Sequence, residues 1–124
     1  MKIALFTNEF PPNIYGGAGV HIDFLSQELA KLGQIEVRCF GDQMVNEANM
    51  HVVGIDSCLS SLADPANPHI KMFQNLSRNV EMAQVTPDAD IIHCHTWYSH
   101  LAGVFTRELL QVPLILTTHS LETH

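Results

Sequence analysis

Three short segments of this sequence contain residue types that could bind a ligand or catalyse a reaction. They are Asn8-Glu9 with the Gly16-Gly17-Ala18-Gly19 turn, His95-Thr96-Trp97-Tyr98, and Thr118-His119-Ser120. Glycines at the start of a helix let backbone N–H groups approach an anion, an indole ring can stack on a sugar, and an imidazole can move protons. The pattern indicates a site built from three separate parts of the chain.

Each of these residues also has a purely structural interpretation. Glycines serve equally in a loop that needs positive φ angles and tight helix packing. Trp97 can fill a gap over a sheet, His119 can be a hydrogen-bonded structural histidine, and Glu9 can cap a turn or bind hydroxyl groups. The grouping of the segments therefore carries more weight than any one residue.

A metal site and a dinucleotide site are each indicated only in part. His93 and His95 share one face of a predicted strand and His100 is nearby, but no further ligand stands at a recognisable spacing. The dinucleotide fingerprint fails because Ile22 stands where Gly or Ala is required, although Asp42 is placed where a ribose-binding acid could sit. A nicotinamide-dependent enzyme is not favoured, and we expect no metal and no cofactor.

Alternating strands and helices must position these segments. Short apolar runs predict strands over residues 2–7, 35–40, 51–55, 90–94 and 114–118. Helical spacing predicts a first helix over about 19–32, with Gly33 as its cap. A second helix is predicted from Pro68 onward, with the apolar stripe Ile70, Phe73, Leu76, Val80 and Ala83. A third helix is marked by the apolar stripe Leu101, Phe105, Leu109 and Val112. The alternation predicts a Rossmann-like, three-layer α/β domain with a mostly parallel sheet, whose ligands bind beyond the carboxyl ends of the strands.

The composition narrows the classes of partner and compartment. The 124 residues include six Lys and Arg against thirteen Asp and Glu, a net charge of −7 without a basic cluster, so neither nucleic acid nor an anionic membrane is an expected partner. With 46% hydrophobic residues the chain can bury a core, but no apolar run is long enough to span a bilayer. Cys39, Cys58 and Cys94 lack a pairing pattern, so we expect free thiols in the cytoplasm.

The predicted last strand lacks a covering helix. Only six residues follow residue 118, whereas both faces of a parallel sheet are normally covered. The sequence therefore predicts either self-association through this strand or, as we favour, a chain that is one part of a longer protein.

Three motifs follow one another over nearly the whole chain. They are EFPPNIYGGAGVH at 9–21, DIIHCHTWY at 90–98 and TTHSLE at 117–122. In order and spacing they resemble the E-[FY]-P-P-x-x-x-G-G-A-G-V-H, D-[IV]-[IV]-H-x-H-T-W-Y and T-x-H-S-L-E motifs of glycogen synthase-like glycosyltransferases of the family 4/5 type. The resemblance implies the N-terminal part of a two-domain GT-B fold. Ile14 departs from the starch-type synthases, which have Lys there, and this favours the actinobacterial-type branch and weakens a prediction of ADP-glucose specificity.

The resemblance also implies roles for individual residues. The glycine pair approaches the phosphates and the sugar of the donor, His119 lies beside the transferred sugar, and the H-T-W-Y segment lines the acceptor side. The candidate catalytic residue is His119, and the candidate donor- or substrate-binding residues are Glu9, Gly16, Gly17, His95, Trp97 and Tyr98.

The resemblance implies that residues 1–124 form an incomplete, acceptor-side domain of a retaining glycosyltransferase. Such an enzyme moves glucose from a nucleotide sugar, ADP- or UDP-glucose, to an α-glucan or a small sugar acceptor. The cations that stabilise the leaving diphosphate belong in this family to a C-terminal domain that is absent from the sequence, so we expect the chain alone to be inactive. Two alternatives remain open: a sucrose- or mannose-type transferase of the same group, and a non-catalytic sugar- or nucleotide-binding module.

Overall fold

The structure is a computed structural model that describes residues 1–57, 64–84 and 88–120. In this part of the chain the strands are β1 (Lys2–Phe6), β2 (Gln34–Phe40), β3 (Met44–Asn46), β4 (Met50–Ile55), β5 (Ile91–His95) and β6 (Leu114–Thr117). The α-helices are α1 (Gly17–Ala30), α2 (Ile70–Gln84) and α3 (His100–Leu110), and a one-turn 3-10 helix covers Trp97–Ser99.

The strands form one six-stranded sheet in the order β3-β4-β2-β1-β5-β6. All neighbouring pairs are parallel except β3 with β4, which is antiparallel. This mostly parallel α/β sheet confirms the predicted fold class. The sequence does not predict β3, because three residues are too few to show an alternating pattern.

Helix α1 covers one face of the sheet, and α2 and α3 cover the other. On the α1 side, Ile22 belongs to a cluster of buried residues that includes Leu5 and Val37. On the opposite side, Met82 of α2 and Ala102 of α3 belong to a second cluster. Because successive strand residues point to opposite faces, the central strand β1 is buried on both sides.

Of the apolar stripes that mark α2 and α3, Ala83 is buried and Val112 packs against the core, but the larger members of the stripes do not. The buried residues are Asn79, Met82 and Ala83 in α2 and Ala102, Gly103 and Thr106 in α3. The large apolar residues Phe73, Leu76, Val80, Phe105 and Leu109 are instead exposed. Hydrophobic spacing therefore predicted both helices but not the side of each helix that packs on the sheet.

Small residues explain the arrangement of α3. A Cβ atom at Gly103 would lie 2.9 Å from Cδ1 of Leu114 and would also overlap Sγ of Cys94. The helix consequently lies closer to β5 and β6 than large side chains would allow. The displaced apolar residues form an exposed surface between α2 and α3, which is lined by Val80 and Phe105.

Gly33 follows α1, but its role differs from the predicted cap. The helix ends with Lys31 as its C-cap, and Gly41 is the glycine with positive φ in the described residues. A Cβ atom at Gly33 would lie 2.5 Å from the carbonyl oxygen of Met1. Close approach of the N-terminal strand, and not a left-handed backbone, therefore requires glycine at this position.

Strand β6 lies at the outer edge of the sheet, beside β5. Ile115 and Leu116 are 44% and 47% exposed, although both are large apolar residues. Self-association through this strand stays a prediction.

The two described cysteines have free thiols, as the sequence predicts. Cys39 and Cys94 are buried, and burial raises the pKa of each thiol to about 12, whereas Cys58 lies outside the described residues. Among the described residues, no helix combines the length and the apolar character needed to cross a membrane.

The tight packing of α3 gives a prediction for stability. Gly103→Ala should lower the free energy of unfolding by about 1–3 kcal/mol through overpacking, even though alanine by itself favours a helix over glycine. Urea denaturation of the chain measures this. Val104→Ala, a change at an exposed position of the same helix, should alter stability far less. Equal stability of Gly103→Ala and the unmodified chain would contradict the close packing.

Candidate functional site

The three predicted segments meet at the carboxyl edge of the sheet, because they follow the neighbouring parallel strands β1, β5 and β6. The hydroxyl of Thr96 donates a hydrogen bond to Oδ1 of Asn8 over 2.8 Å, which joins the loops after β5 and β1. The backbone N–H of Thr96 donates to the carbonyl oxygen of Thr117 over 3.0 Å, which joins β5 to β6. Asn8 and Thr117, which are 117 − 8 = 109 positions apart in sequence, thus lie at one edge.

Glu9 holds the start of α1. Its Oε2 atom accepts hydrogen bonds from the backbone N–H groups of Tyr15, Gly16 and Gly19 over 3.2, 3.2 and 3.1 Å. The first N–H groups of a helix have no acceptor within the helix, and its positive end favours a carboxylate. Of the two interpretations of Glu9, the capping role is present in the structure, and ligand binding by Glu9 stays a prediction.

The glycines of this turn differ in what requires them. Gly16 has φ −164°, an ordinary extended angle, and Cβ atoms added at Gly16 and Gly17 would meet nothing within 4 Å in the described part of the chain. A Cβ atom at Gly19 would lie 2.5 Å from Oε2 of Glu9 and 3.0 Å from Cγ2 of Ile14. Internal packing therefore explains Gly19 but not Gly16 or Gly17, whose backbone is open to approach from outside.

Four histidines cluster beside the turn. His93 and His95 project from the same face of β5, as predicted, with ring centroids 4.0 Å apart. The ring of His119 lies 5.3 Å from that of His95, and the ring of His21 in α1 lies 5.7 Å from His95 and 5.4 Å from His119. The sequence alone did not single out His21, although its place one helical turn after Gly17 is the signal that could have identified it.

Two hydrogen bonds order this histidine cluster. Nδ1 of His95 lies 3.0 Å from Nε2 of His119, and Nε2 of His93 lies 2.7 Å from the hydroxyl oxygen of Thr117. His95 is fully buried. The imidazoles of His95 and His119 therefore form a connected pair that reaches from the core to the edge of the sheet.

Three histidines of this cluster, His93, His95 and His119, are biased toward the neutral form. Burial, together with the surrounding histidines His93, His119, His21 and His100, lowers the pKa of His95 to about 3. Burial also lowers the pKa values of His93 and His119; His21 acts in the same direction on both, and Glu9 acts against it on His119. In the described residues, no group of three or more His, Cys, Asp or Glu side chains could hold a metal ion.

Trp97 and Tyr98 form an exposed aromatic pair. Their rings stack with centroids 4.1 Å apart and an interplanar angle of 27°, and Trp97 is 62% exposed. The pair borders a groove of about 350 Å³ whose other wall is the first half of α2, with Lys71, Met72, Asn75 and Leu76. A flat indole face beside a groove at this edge can stack on a sugar ring.

The turn that carries these rings is held firmly. Thr96 has φ +66°, a strained angle for a β-branched residue that surrounding contacts must hold in place. The Ser99 hydroxyl lies 3.1 Å from the carbonyl oxygen of Phe6 and 2.9 Å from that of His95, and Nδ2 of Asn79 donates to the carbonyl oxygen of Tyr98 over 2.6 Å. Asn79 was not predicted; a polar residue inside a helix that packs on the sheet is the signal for it.

The positive charges of the chain are mostly neutralised within it. Five of the six Lys and Arg residues form ion pairs in the described structure, namely Lys2–Asp88, Lys31–Glu28, Arg38–Glu36, Arg78–Asp56 and Arg107–Glu108. The sixth, Lys71, lies at the aromatic groove. The described residues thus place no pair of cations beside Gly16 and Gly17.

Comparison with known proteins assigns a family to this chain. The sequence profile of Glycosyltransferase Family 4 matches residues 15–124. The α-maltose-1-phosphate synthase of Mycolicibacterium smegmatis is 38% identical over 98% of this chain, and an uncharacterised glycosyltransferase of Methanocaldococcus jannaschii is 28% identical over 98% of it. The chain spans 29% and 32% of the lengths of these two relatives.

A solved structure supports the fold. Sucrose-phosphate synthase from Thermosynechococcus elongatus superposes with a TM-score of 0.66 at 18% sequence identity, over 97% of this chain and 33% of that one. At this identity the likeness shows the Rossmann-like α/β fold of a GT-B domain and nothing finer.

The different surroundings of Gly17 and Gly19 give a matched pair of predictions. Gly17→Ala should keep or raise stability, by up to about 1 kcal/mol, because alanine loses less entropy in a helix and its Cβ meets nothing. Gly19→Ala should lower stability by about 1–3 kcal/mol, because its Cβ displaces Glu9 from the three N–H groups. Chemical denaturation of both variants measures this, and equal effects would contradict the proposed division between open and packed glycines.

Proposed function

The chain belongs to glycosyltransferase family 4, and we propose that it is the acceptor-side part of a retaining transferase resembling glycogen synthase. The enzyme would move glucose from ADP- or UDP-glucose to an α-glucan. The observation that carries this proposal is the open backbone at Gly16 and Gly17, which lies at one sheet edge with the histidine cluster and an exposed aromatic pair.

Donor binding is assigned to the start of α1. A nucleotide sugar carries a diphosphate, and the positive end of a helix favours such an anion. Glu9 accepts from the N–H groups of Gly16 and Gly19, so the backbone of Gly17 and Ala18 is the part of this turn that such a ligand would approach. Neither a positive φ nor crowding by the described residues requires the two glycines, which leaves their backbone open to close approach by a ligand. His119, which is joined to β5 through His95, would then lie beside the transferred glucose.

Acceptor binding is assigned to the groove beside Trp97 and Tyr98. Pyranose rings present C–H faces that pack on aromatic rings, and the stacked pair offers such a surface at a position fixed by Asn79 and Ser99. Lys71 on the opposite wall could pair with hydroxyl groups or with a negative charge. The groove thus accommodates two classes of acceptor, a neutral glucan or a sugar phosphate.

A sugar-phosphate acceptor is the second candidate. The names of two similar proteins, α-maltose-1-phosphate synthase and sucrose-phosphate synthase, describe phosphorylated sugar products. Lys71, the basic side chain without an ion pair among the described residues, lies in the groove where such an acceptor would bind. For this chain, glucose 1-phosphate is the simplest acceptor of that class to test.

Tryptophan fluorescence can distinguish the two acceptors, because Trp97 is the only tryptophan in the sequence. Maltoheptaose should change the emission of the chain without any nucleotide present, and glucose 1-phosphate should change it less. The reverse order would favour the second candidate, and no response to either sugar would contradict acceptor binding at this groove.

A pair of variants tests the location of that binding. Met72→Ala, in the groove, should weaken the sugar response by about tenfold or more, equivalent to about 1.4 kcal/mol. Leu109→Ala removes a similarly exposed apolar side chain at the distant surface between α2 and α3 and should leave the response unchanged.

The isolated chain should give no useful turnover. Retaining transfer requires stabilisation of the charge that develops on the leaving diphosphate, and the described residues place no cation pair beside Gly16 and Gly17. Incubation with ADP-glucose or UDP-glucose and glycogen, followed by measurement of released nucleoside diphosphate, tests this. Turnover above the rate without the chain would contradict it.

A further inference from the structure

The two ring nitrogens of His95 lie in different surroundings. Nδ1 is 3.0 Å from Nε2 of His119, whereas Nε2 is buried and has no hydrogen-bond partner among the described residues. A neutral imidazole has one N–H donor and one acceptor nitrogen. The identity of the unpartnered nitrogen therefore bears on which way the hydrogen bond to His119 runs.

Only two arrangements satisfy the bond between these rings while both are neutral. If His95 carries its proton on Nδ1, it donates to His119 and leaves a lone pair unused in the core. If His95 carries its proton on Nε2, it accepts from His119 and buries an N–H group without an acceptor. Buried N–H groups without acceptors are rare in folded proteins, and under-used acceptors are less so, which favours the first arrangement.

The groups around the pair also disfavour a charged ring. His93 faces His95 from β5, His21 faces both rings from α1, and His100 acts on His95 from α3. Glu9 is the group that acts on His119 in the opposite direction. With three further imidazoles nearby and His95 buried, both rings favour the neutral form near pH 7. The hydrogen bond between them then has one proton, which belongs either to His95 or to His119.

We propose that His95 is a positioning residue, which donates its Nδ1–H to Nε2 of His119 and thereby holds His119 in the Nδ1–H tautomer. With Nε2 occupied, His119 offers a ligand an N–H donor from Nδ1 and no free basic nitrogen. His119 would then bind an oxygen atom of a sugar and would not remove a proton from it. A sugar as the acceptor of that N–H rests on the proposed function, whereas the tautomer does not.

Nuclear magnetic resonance of the chain labelled with ¹⁵N in its histidines tests this directly. Long-range ¹H–¹⁵N correlation spectra near pH 7 distinguish a protonated from an unprotonated ring nitrogen. We expect His119 to show a protonated Nδ1 and an unprotonated Nε2, and His95 to show the same pattern. A protonated Nε2 in His119 would overturn the proposal.

Two variants separate positioning from general structural support. His95→Phe removes the donor and should let His119 populate both tautomers, whereas His95→Asn keeps an amide N–H near the position of Nδ1 and should preserve the Nδ1–H form. His69→Asn, at an exposed histidine before α2, is the control and should leave the His119 signals unchanged. An unaltered His119 tautomer in His95→Phe would also overturn the proposal.

The experiment remains decisive if a variant fails to fold. The spectrum of the unmodified chain alone reports the tautomer of His119, and the dispersion of its amide signals verifies the fold. Because this experiment contains no sugar, a protonated Nε2 in His119 would overturn the tautomer and leave the proposed function intact. The fluorescence of Trp97 tests the proposed function independently.

Discussion

The parallel pairing of β1, β5 and β6 brings the candidate site together. In this register Phe6 of β1 lies opposite Cys94 of β5, and Cys94 lies opposite Leu116 of β6, so the three strands end at nearly the same level. The loops that follow must therefore share one edge. The bonds of Thr96 to Asn8 and Thr117 fix how those loops meet, and a positive φ at Thr96 is retained as part of that junction.

The two sides of this edge are built differently. On the α1 side the backbone is open at Gly16 and Gly17, and Glu9 accepts a hydrogen bond from the N–H of Gly16. The hydrogen-bonded imidazoles of His95 and His119 lie on the same side. On the α2 side an aromatic pair borders a groove. The first side thus offers backbone groups and imidazoles, and the second offers a flat aromatic face.

Helix packing limits how much of the surface could be predicted. The sequence predicted α2 and α3 correctly as helices, since apolar residues recur at helical spacing. It did not identify their buried faces, because periodicity marks where large apolar side chains lie and not what they contact. Gly103 and Ala102 permit close packing on β5 and β6, so α3 turns its larger residues, among them Phe105, away from the sheet.

Local pattern and tertiary geometry thus decided different properties of this protein. The sequence by itself determined the parallel α/β fold, the membership of a glycosyltransferase family and the placement of His93 and His95 on one face, because each depends on short-range periodicity or on motif order. Only the tertiary structure decided that Gly19 is packed while Gly16 and Gly17 are open, and that His95 is bonded to His119. These properties depend on contacts between residues distant in the chain, and no local spacing encodes such contacts.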